Sequence, residues 1–365
     1  MQTTRHNLTF MITALLILVG ALVCNVLVDP FAIHPSWSLD GMDEFRKRRS
    51  AIHRGDRVVR GGFDVHLVGT SRVANGIPID HPIFSGRRAV NLGLRGLNRD
   101  ELEMVTQLSC SVPTTRQLYL FLDFFSFDQR LQAHAMTQRS RFSRHYNAVD
   151  YHVDKWLSEA TLRDSWEVIL RSRQDKQRIA ATADVKHIAV RSLRNYDRVY
   201  SKLRLAAPAP ILREILANAA ANDIEVQIVF LPVHVALLDV LRRAGLWETL
   251  ENWKRDIVVA AEGRAKVWDF FDYSSRTTIR FDTVGGLQDL ARGFIDLAHI
   301  RPELGMVVLD TIGGLTPSDG GANDFGRQVS AATVEEHLLR IRNDAETFEA
   351  EEQVFLEYVR QLGPS

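Results

Sequence analysis

Two cysteines, Cys24 and Cys110, are all that the chain contains. Cys24 lies in an apolar run, so no bridge between the two is expected. Disulfide scaffolds, zinc fingers and iron–sulfur clusters are excluded. Charge of one sign is also missing: 45 Lys and Arg balance 45 Asp and Glu, without the global basic excess of a nucleic-acid binder. No internal repeat appears, and no spacing of His, Asp and Glu suits a metal. What remains is ordinary globular composition over 365 residues, 45% apolar and 25% charged. That rules out collagen-like, disordered and wholly membrane-embedded chains, and leaves ample material for a buried core.

One long apolar run stands out, Leu8 to Val28, interrupted only by Thr9, Thr13, Gly20 and Asn25. As a helix it spans roughly 31 Å, about one bilayer core. It is long for a signal-peptide core, no small-x-small cleavage site follows, and Val23 spoils a lipidation box before Cys24. An uncleaved anchor is expected. Arg5 precedes the run. Asp29 to Phe45 contain no Lys or Arg and four acids (Asp29, Asp40, Asp43, Glu44), before Arg46-Lys47-Arg48-Arg49. Long domains translocate largely regardless of charge. The body is therefore expected outside the cytoplasm, which in a bacterium is the periplasm or cell exterior.

Beyond residue 63 short apolar runs alternate with helical patterns. Strands are expected at Asp64–Thr70, Ala89–Gly93, Gln117–Asp123, Glu225–Leu231 and Lys266–Phe270. Helices are expected near Asp100–Leu108 and Pro210–Asn222. Near-continuous apolar strands separated by helices indicate an α/β fold, a parallel sheet covered on both faces, with sites at the strands' carboxyl ends. Gln129 to Leu205 reads as a helical insertion with sixteen Lys and Arg against eight Asp and Glu. It is either a solvated cap or a surface for anionic lipid or polysaccharide. After a loop over 317–323, Val334, Leu338, Ile341, Ala345, Phe348, Phe355, Val359 and Leu362 mark a C-terminal amphipathic helix whose series breaks at Glu352. Packing on its own domain is favoured over a coiled coil, and its acids have the basic insertion as a candidate partner. The expected plan is a cytoplasmic stub and anchor over 1–28 and a juxtamembrane linker over 29–63. The α/β domain over 64–316 carries the insertion at 129–205, and the linker and last helix occupy 317–365.

Three pieces could carry chemistry. In Gly69-Thr70-Ser71-Arg72 a hydroxyl follows a glycine where the first strand ends and a helix begins. Such a turn exposes the hydroxyl and its N–H at the sheet edge, although serine is also a common helix cap. In Asn91-Leu92-Gly93-Leu94-Arg95-Gly96 two glycines permit a tight turn and close backbone approach to a ligand. In Asp296-Leu297-Ala298-His299 one loop offers a base and the acid to orient it, ahead of Arg301-Pro302-Glu303-Leu304-Gly305. Each piece alone is common. His234 reads as a helix cap and His66 as a strand residue either packed or at the rim.

Taken in order, these pieces resemble the SGNH (GDSL-type) hydrolase superfamily: a Gly-Asp-Ser-like turn, an Asn-x-Gly-x-x-Gly-like turn and a final Asp-x-x-His. With the anchor, the Gly-Thr-Ser-Arg turn, Leu122–Phe127 and Asp-x-x-His-x-Arg-Pro-Glu-x-Gly, the chain resembles the membrane-anchored bacterial branch linked to cell-surface polysaccharide O-acylation. The resemblance covers Asp64 to Leu309 with the basic insertion outside it, and implies a three-layer SGNH/flavodoxin-like sandwich with no cofactor. It further implies Ser71 as nucleophile, His299 as base and Asp296 as its orienting acid. Ser71 and Gly96 N–H groups would form the oxyanion hole, with Arg72, Asn91, Gly93 and Asp123 lining the site. Implied partners are the bacterial inner membrane through residues 8–28, an acylated polysaccharide or glycan, and a multispanning membrane acyltransferase. One departure stands: the family has an asparagine where Asp123 follows the third strand. An ionised carboxylate repels an oxyanion, so Asp123 is protonated, or turned to a structural partner, or marks a site that has lost hydrolysis. In the last case the chain is an inactive envelope protein.

Overall fold

The computed structural model describes residues 2–34, 38–42, 45–47, 50–173, 185–320 and 324–363. Asp43, Glu44, Arg48, Arg49, the middle of the basic insertion and part of the 317–323 loop lie outside the described residues. The chain opens with α1 (Gln2–Val28), α2 (Ala51–Gly61), β1 (Val65–Val68), α3 (Ser71–Gly76) and β2 (Ala89–Asn91). Next come α4 (Arg99–Ser111), β3 (Gln117–Phe121), α5 (Ala135–Gln138), α6 (Ala148–Leu157), α7 (Glu159–Arg173) and α8 (Val185–Tyr200). Then follow α9 (Ala209–Ala221), β4 (Glu225–Phe230), α10 (Val235–Arg243), α11 (Trp247–Ala261) and β5 (Ala265–Asp269). The chain ends with α12 (Val284–Gly293), α13 (Pro302–Gly313), β6 (Arg327–Val329), α14 (Val334–Glu351) and α15 (Gln353–Leu362).

Residues 62–133 and 182–365 form the larger of two compact units. Its sheet runs β2-β1-β3-β4-β5-β6, parallel except for β6 against β5. Every residue of β1 and β3 is buried, which is why these strands read as continuous apolar runs without alternation. The five parallel strands fall where the sequence places them. β6 is an addition: Arg327-Gln328-Val329 is too short and polar to read as a strand, and pairs at the edge as Val267↔Val329. From β1 the chain steps one way to β2, then back past β1 to β3, β4 and β5. Right-handed crossovers put α3 on one face and α4, α9 and α11 on the other. In keeping with this, α4, α9 and α11 pack in a row, while α3 packs on α13 and α13 on α12. The order reverses between β1 and β3, so their carboxyl ends open a crevice, the usual ligand position in such sheets.

The C-terminal stripe packs on its own unit, α14 against α11 and α15 against α10. It forms two helices, broken at Glu352, and the turn lets Phe355 bury among His234, Phe281 and Phe348. Among the described residues the acids pair within the α/β body rather than with the insertion: Glu335 meets Arg255, Glu349 meets Arg242 and Glu352 meets Arg280. From the insertion, Lys186 instead lies over the Tyr358 ring at 5.4 Å. At the end of β5, Asp269 accepts from Lys254 and His337, and Asp272 pairs with Arg340, tying α14 to the sheet.

Residues 1–61 and 134–181 form the other unit. The expected boundaries are thus redrawn. The basic insertion is shared between the two units, and the expected 29–63 linker contains α2 and buried Phe31, Ile33 and Ile52. α1 is long and apolar enough over His6–Val28 to cross a membrane, its most apolar 18-residue stretch having a mean hydropathy of 2.7. Helix α2 mixes Arg54 and Asp56 with Ala51, Ile52 and Val58 on its buried face, so its sequence shows no clean apolar stripe. Asp56 accepts from Lys155 at 3.0 Å, Arg141 at 2.7 Å, Arg60 at 3.0 Å and the Tyr151 hydroxyl. Burial alone pushes the Asp56 carboxyl up, but Lys155, Tyr151 and Arg141 outweigh it and hold it at about 2. Burial pulls Lys155 down to about 8 even though Asp56 favours its charged form. Arg141 and Arg139, the latter paired with Asp154 at 2.9 Å, are therefore spent on structure rather than offered to an external anion.

Asp56→Ala strands Lys155, which is 2% exposed, without its carboxylate. The expected loss in urea unfolding at neutral pH is about 3–5 kcal/mol. Because the folded pKa of Asp56 lies below its ordinary 3.8, its contribution is complete above that value and is lost as pH falls towards 2. The gap between wild type and variant closes across that window, as tryptophan fluorescence will report.

Candidate active site

The crevice holds the turn after β1. Thr70 caps α3, its Oγ1 accepting from the Arg72 amide at 3.2 Å. The expected rival role for serine is thus taken by its neighbour, and the Ser71 hydroxyl is left to point elsewhere. Ser71 Oγ lies 2.8 Å from His299 Nε2. On the other side of the imidazole, Nδ1 lies 2.9 Å from Asp296 Oδ2 and 3.0 Å from Oδ1. The side chains of His299 and Asp296 each keep 24% of their surface exposed, so a solute can reach them.

The loop that brings them there is a small hairpin between α12 and α13. Phe294 and Ile300 form an antiparallel bridge, the Ile295 amide donates to His299 O at 2.7 Å, and Arg301 donates to Gly293 O at 2.9 Å. Inside it Asp296 Oδ1 also accepts the amides of Ala298 and His299, both at 2.8 Å. Burial pushes the Asp296 carboxyl up. The His299 ring and these two amides outweigh it and leave the group below the usual carboxylate range. Asp296 is therefore the anionic partner of the imidazole, which favours its Nδ1–H tautomer and leaves Nε2 to accept from Ser71.

Gly93 and Gly96 shape the turn after β2. A Cβ at Gly93 would sit 2.5 Å from the Ala74 amide and 2.7 Å from Thr70 O, so only glycine lets this turn lie against α3. The Leu94 amide donates to Gly69 O at 2.8 Å, fixing the turn to the end of β1. Gly96 follows with φ of +63°, a left-handed conformation that favours glycine. Neither the Ser71 nor the Gly96 amide donates to a protein acceptor among the described residues.

The remaining expected lining residues serve the scaffold instead. Asn91 Nδ2 donates to Val73 O at 2.8 Å and Ile77 O at 3.0 Å, while its Oδ1 accepts from the Gly93 amide. Its amide closes the end of α3 and shapes the glycine turn, leaving little to offer a ligand. Arg72 is 3% exposed; its guanidinium donates to Ala298 O at 2.8 Å, to Pro232 O and to Asp123 Oδ1. The second oxygen of Asp123 accepts from the Thr70 hydroxyl. Of the readings open for Asp123, the structural partner is the one the structure supplies: both carboxylate oxygens are engaged.

Tyr196, on α8, is a neighbour that no motif flagged. Burial pushes its phenol well above the ordinary range; Arg72 draws it down, and the Asp296 and Asp123 carboxylates push it up again. Its ring sits 5.5 Å from Tyr200, and this i, i+4 aromatic pair in a basic segment was the only sequence hint. His234 caps α10, and His66 is fully buried in β1. Among the described residues no group of three or more His, Cys, Asp or Glu is placed to hold a metal.

Removing the Asp123 carboxylate in Asp123→Ala leaves a buried guanidinium unpaired, an expected loss of about 3–5 kcal/mol in chemical denaturation. Gly305→Ala tests the other support. Its Cβ would overlap the carbonyl oxygen of Gly76, forcing α13 away from α3 and the imidazole from Ser71. A lowered Tm is expected; an unchanged Tm with an intact site would refute the close approach as a constraint. No protein-family model matches the chain and no curated protein does, so its function has to be argued from this geometry.

Proposed function

We propose that this protein is a serine esterase or O-acyltransferase of SGNH type, held at a bacterial inner membrane by residues 8–28 and working on acyl esters of an extracytoplasmic polysaccharide. One observation carries the reading: the alcohol of Ser71, the imidazole of His299 and the carboxylate of Asp296 stand in hydrogen-bonded series at 2.8 and 2.9 Å. The chemistry that needs this series is nucleophilic acyl transfer. A serine after β1, an Asn-Gly turn after β2, an Asp-x-x-His ahead of α13 and the 2-1-3-4-5 parallel order are what an SGNH/flavodoxin-like sandwich would have.

In the first half-reaction Ser71 Oγ attacks the ester carbonyl carbon while His299 Nε2 takes its proton. Asp296 keeps the ring oriented and offsets the imidazolium charge. The free N–H groups of Ser71 and Gly96 are the donors for the oxyanion. Collapse of the tetrahedral adduct breaks the bond to the leaving alcohol, which receives the proton from His299, and Ser71 carries the acyl group. Water or a sugar hydroxyl then attacks that ester, His299 accepts its proton, and Ser71 leaves with the proton returned. An acceptor hydroxyl gives acyl transfer and water gives hydrolysis. A multispanning membrane partner would supply acyl groups to a site tethered beside the bilayer. An oxyanion donor is worth on the order of 10²–10³ in rate. Asp123 contributes none, so slow turnover is expected unless another donor stands in.

The competing reading, an inactive SGNH-fold envelope protein binding polysaccharide or a membrane partner in an export or acylation complex, drew on Asp123 as a carboxylate facing the oxyanion. The bonds from Arg72 and Thr70 give that group a structural role and weaken this support, although the donor an asparagine would supply is still lacking.

A fluorophosphonate probe is expected to label the folded protein at Ser71, and Ser71→Ala to abolish labelling. His299→Ala should slow labelling by on the order of 10²–10⁴. Folded wild-type protein that takes no label would turn the assignment over to the inactive reading.

A further inference from the structure

In α6 and α7 polar residues line much of the buried face while several large apolar ones stand outside. The buried face of α7 is made of Thr161, Asp164, Ser165 and Val168, and that of α6 of Tyr151 and Lys155. Large apolar residues stand on the outward faces: Val149, Val153 and Leu157 at steps of four on α6, Trp166 and Leu170 on α7, all between 39% and 70% exposed, the α7 pair sharing its side with the exposed Glu159–Arg163 ion pair. Residues four apart lie on one side of a helix, so each set is a continuous stripe.

These stripes adjoin α1. Asn25 donates to Trp156 O at 2.9 Å and accepts from the Ser165 hydroxyl at 2.8 Å, next to Leu157 and Trp166 respectively. α1 packs on both helices. From Leu8 to Gly20 it is almost wholly bare, whereas Asn25 and Val28 are buried. Thirteen bare residues cover only about 20 Å of an apolar layer of roughly 30 Å. The remaining third falls where α1, still exposed at Val23 and Leu27, is flanked by α6 and α7.

We propose that α6 and α7 are themselves seated in the bilayer on the body's side, with Val149, Val153, Leu157, Trp166 and Leu170 against lipid acyl chains beside α1. The occupant is lipid because the stripes continue the bare surface of α1 and complete its span. Burying polar residues inward and apolar ones outward is what an interfacial helix needs. Trp166 suits the boundary between acyl chains and headgroups. The inference rests on α1 crossing the membrane, and its test separates the two claims.

The full-length chain with Cys24→Ala and Cys110→Ala is placed in phosphatidylethanolamine/phosphatidylglycerol nanodiscs. It carries an environment-sensitive fluorophore on Val153→Cys, Leu170→Cys, Leu15→Cys or Val259→Cys, one at a time. All four positions are exposed, so labelling removes no core contact. Brominated acyl chains are expected to quench the labels at 153 and 170 within about twofold of the label at 15, leaving the one at 259 bright. Aqueous iodide should show the opposite order. Labels at 153 and 170 that behave like the one at 259, with 15 still shielded, would overturn the seating while leaving the anchor intact. That outcome would assign the stripes to a protein partner absent from the disc. A label at 15 open to iodide would overturn the anchor and the seating together.

Discussion

A single buried guanidinium gathers the pieces on which the candidate site depends. Arg72 leaves the first turn of α3 and binds the carbonyl of Ala298, the carbonyl of Pro232 and the carboxylate of Asp123. Those partners belong to the histidine loop, the segment after β4 and the segment after β3. The hydroxyl of Thr70 joins the same carboxylate from the cap of α3. Four chain segments far apart in sequence are thus referred to one charge pair. A buried pair of this sort adds little net stability over an apolar filling, but it tolerates no missing member. Its main effect is positional: Ser71 and His299 are neighbours of atoms bound to Arg72.

The second constraint is steric. The turn after β2 approaches α3 through Gly93, and α13 approaches it through Gly305 against Gly76. Side chains at these points would push apart the elements that carry Ser71, Gly96 and His299. The ion pair pulls the segments together from below, and the glycines let them come close at the rim. Neither alone would bring an alcohol to an imidazole across 228 positions of sequence.

Much of this was legible in the sequence, because the central strands are buried on both faces and leave unbroken apolar runs. The Asp-x-x-His spacing likewise reflects a local hairpin in which one carboxylate meets nearby amides. What stayed hidden depends on contacts distant in sequence. Asp123 looked like a defect at a reactive position, and only the partner 51 residues away shows it as a support. The charged helix α2 passed for a linker because a carboxylate ringed by cations interrupts the apolar residues of its buried face. The edge strand β6 has three residues and no pattern of its own.

In the histidine loop the Asp296 carboxylate holds both amides that fold the loop and the ring that the loop presents. Backbone shape and imidazole orientation therefore share one pair of oxygen atoms. A longer acid at 296 would move both together, and a neutral amide would weaken both. This corner of the fold has no separate adjustment for form and for charge: any change that retunes the imidazole also rebuilds the ground on which it stands.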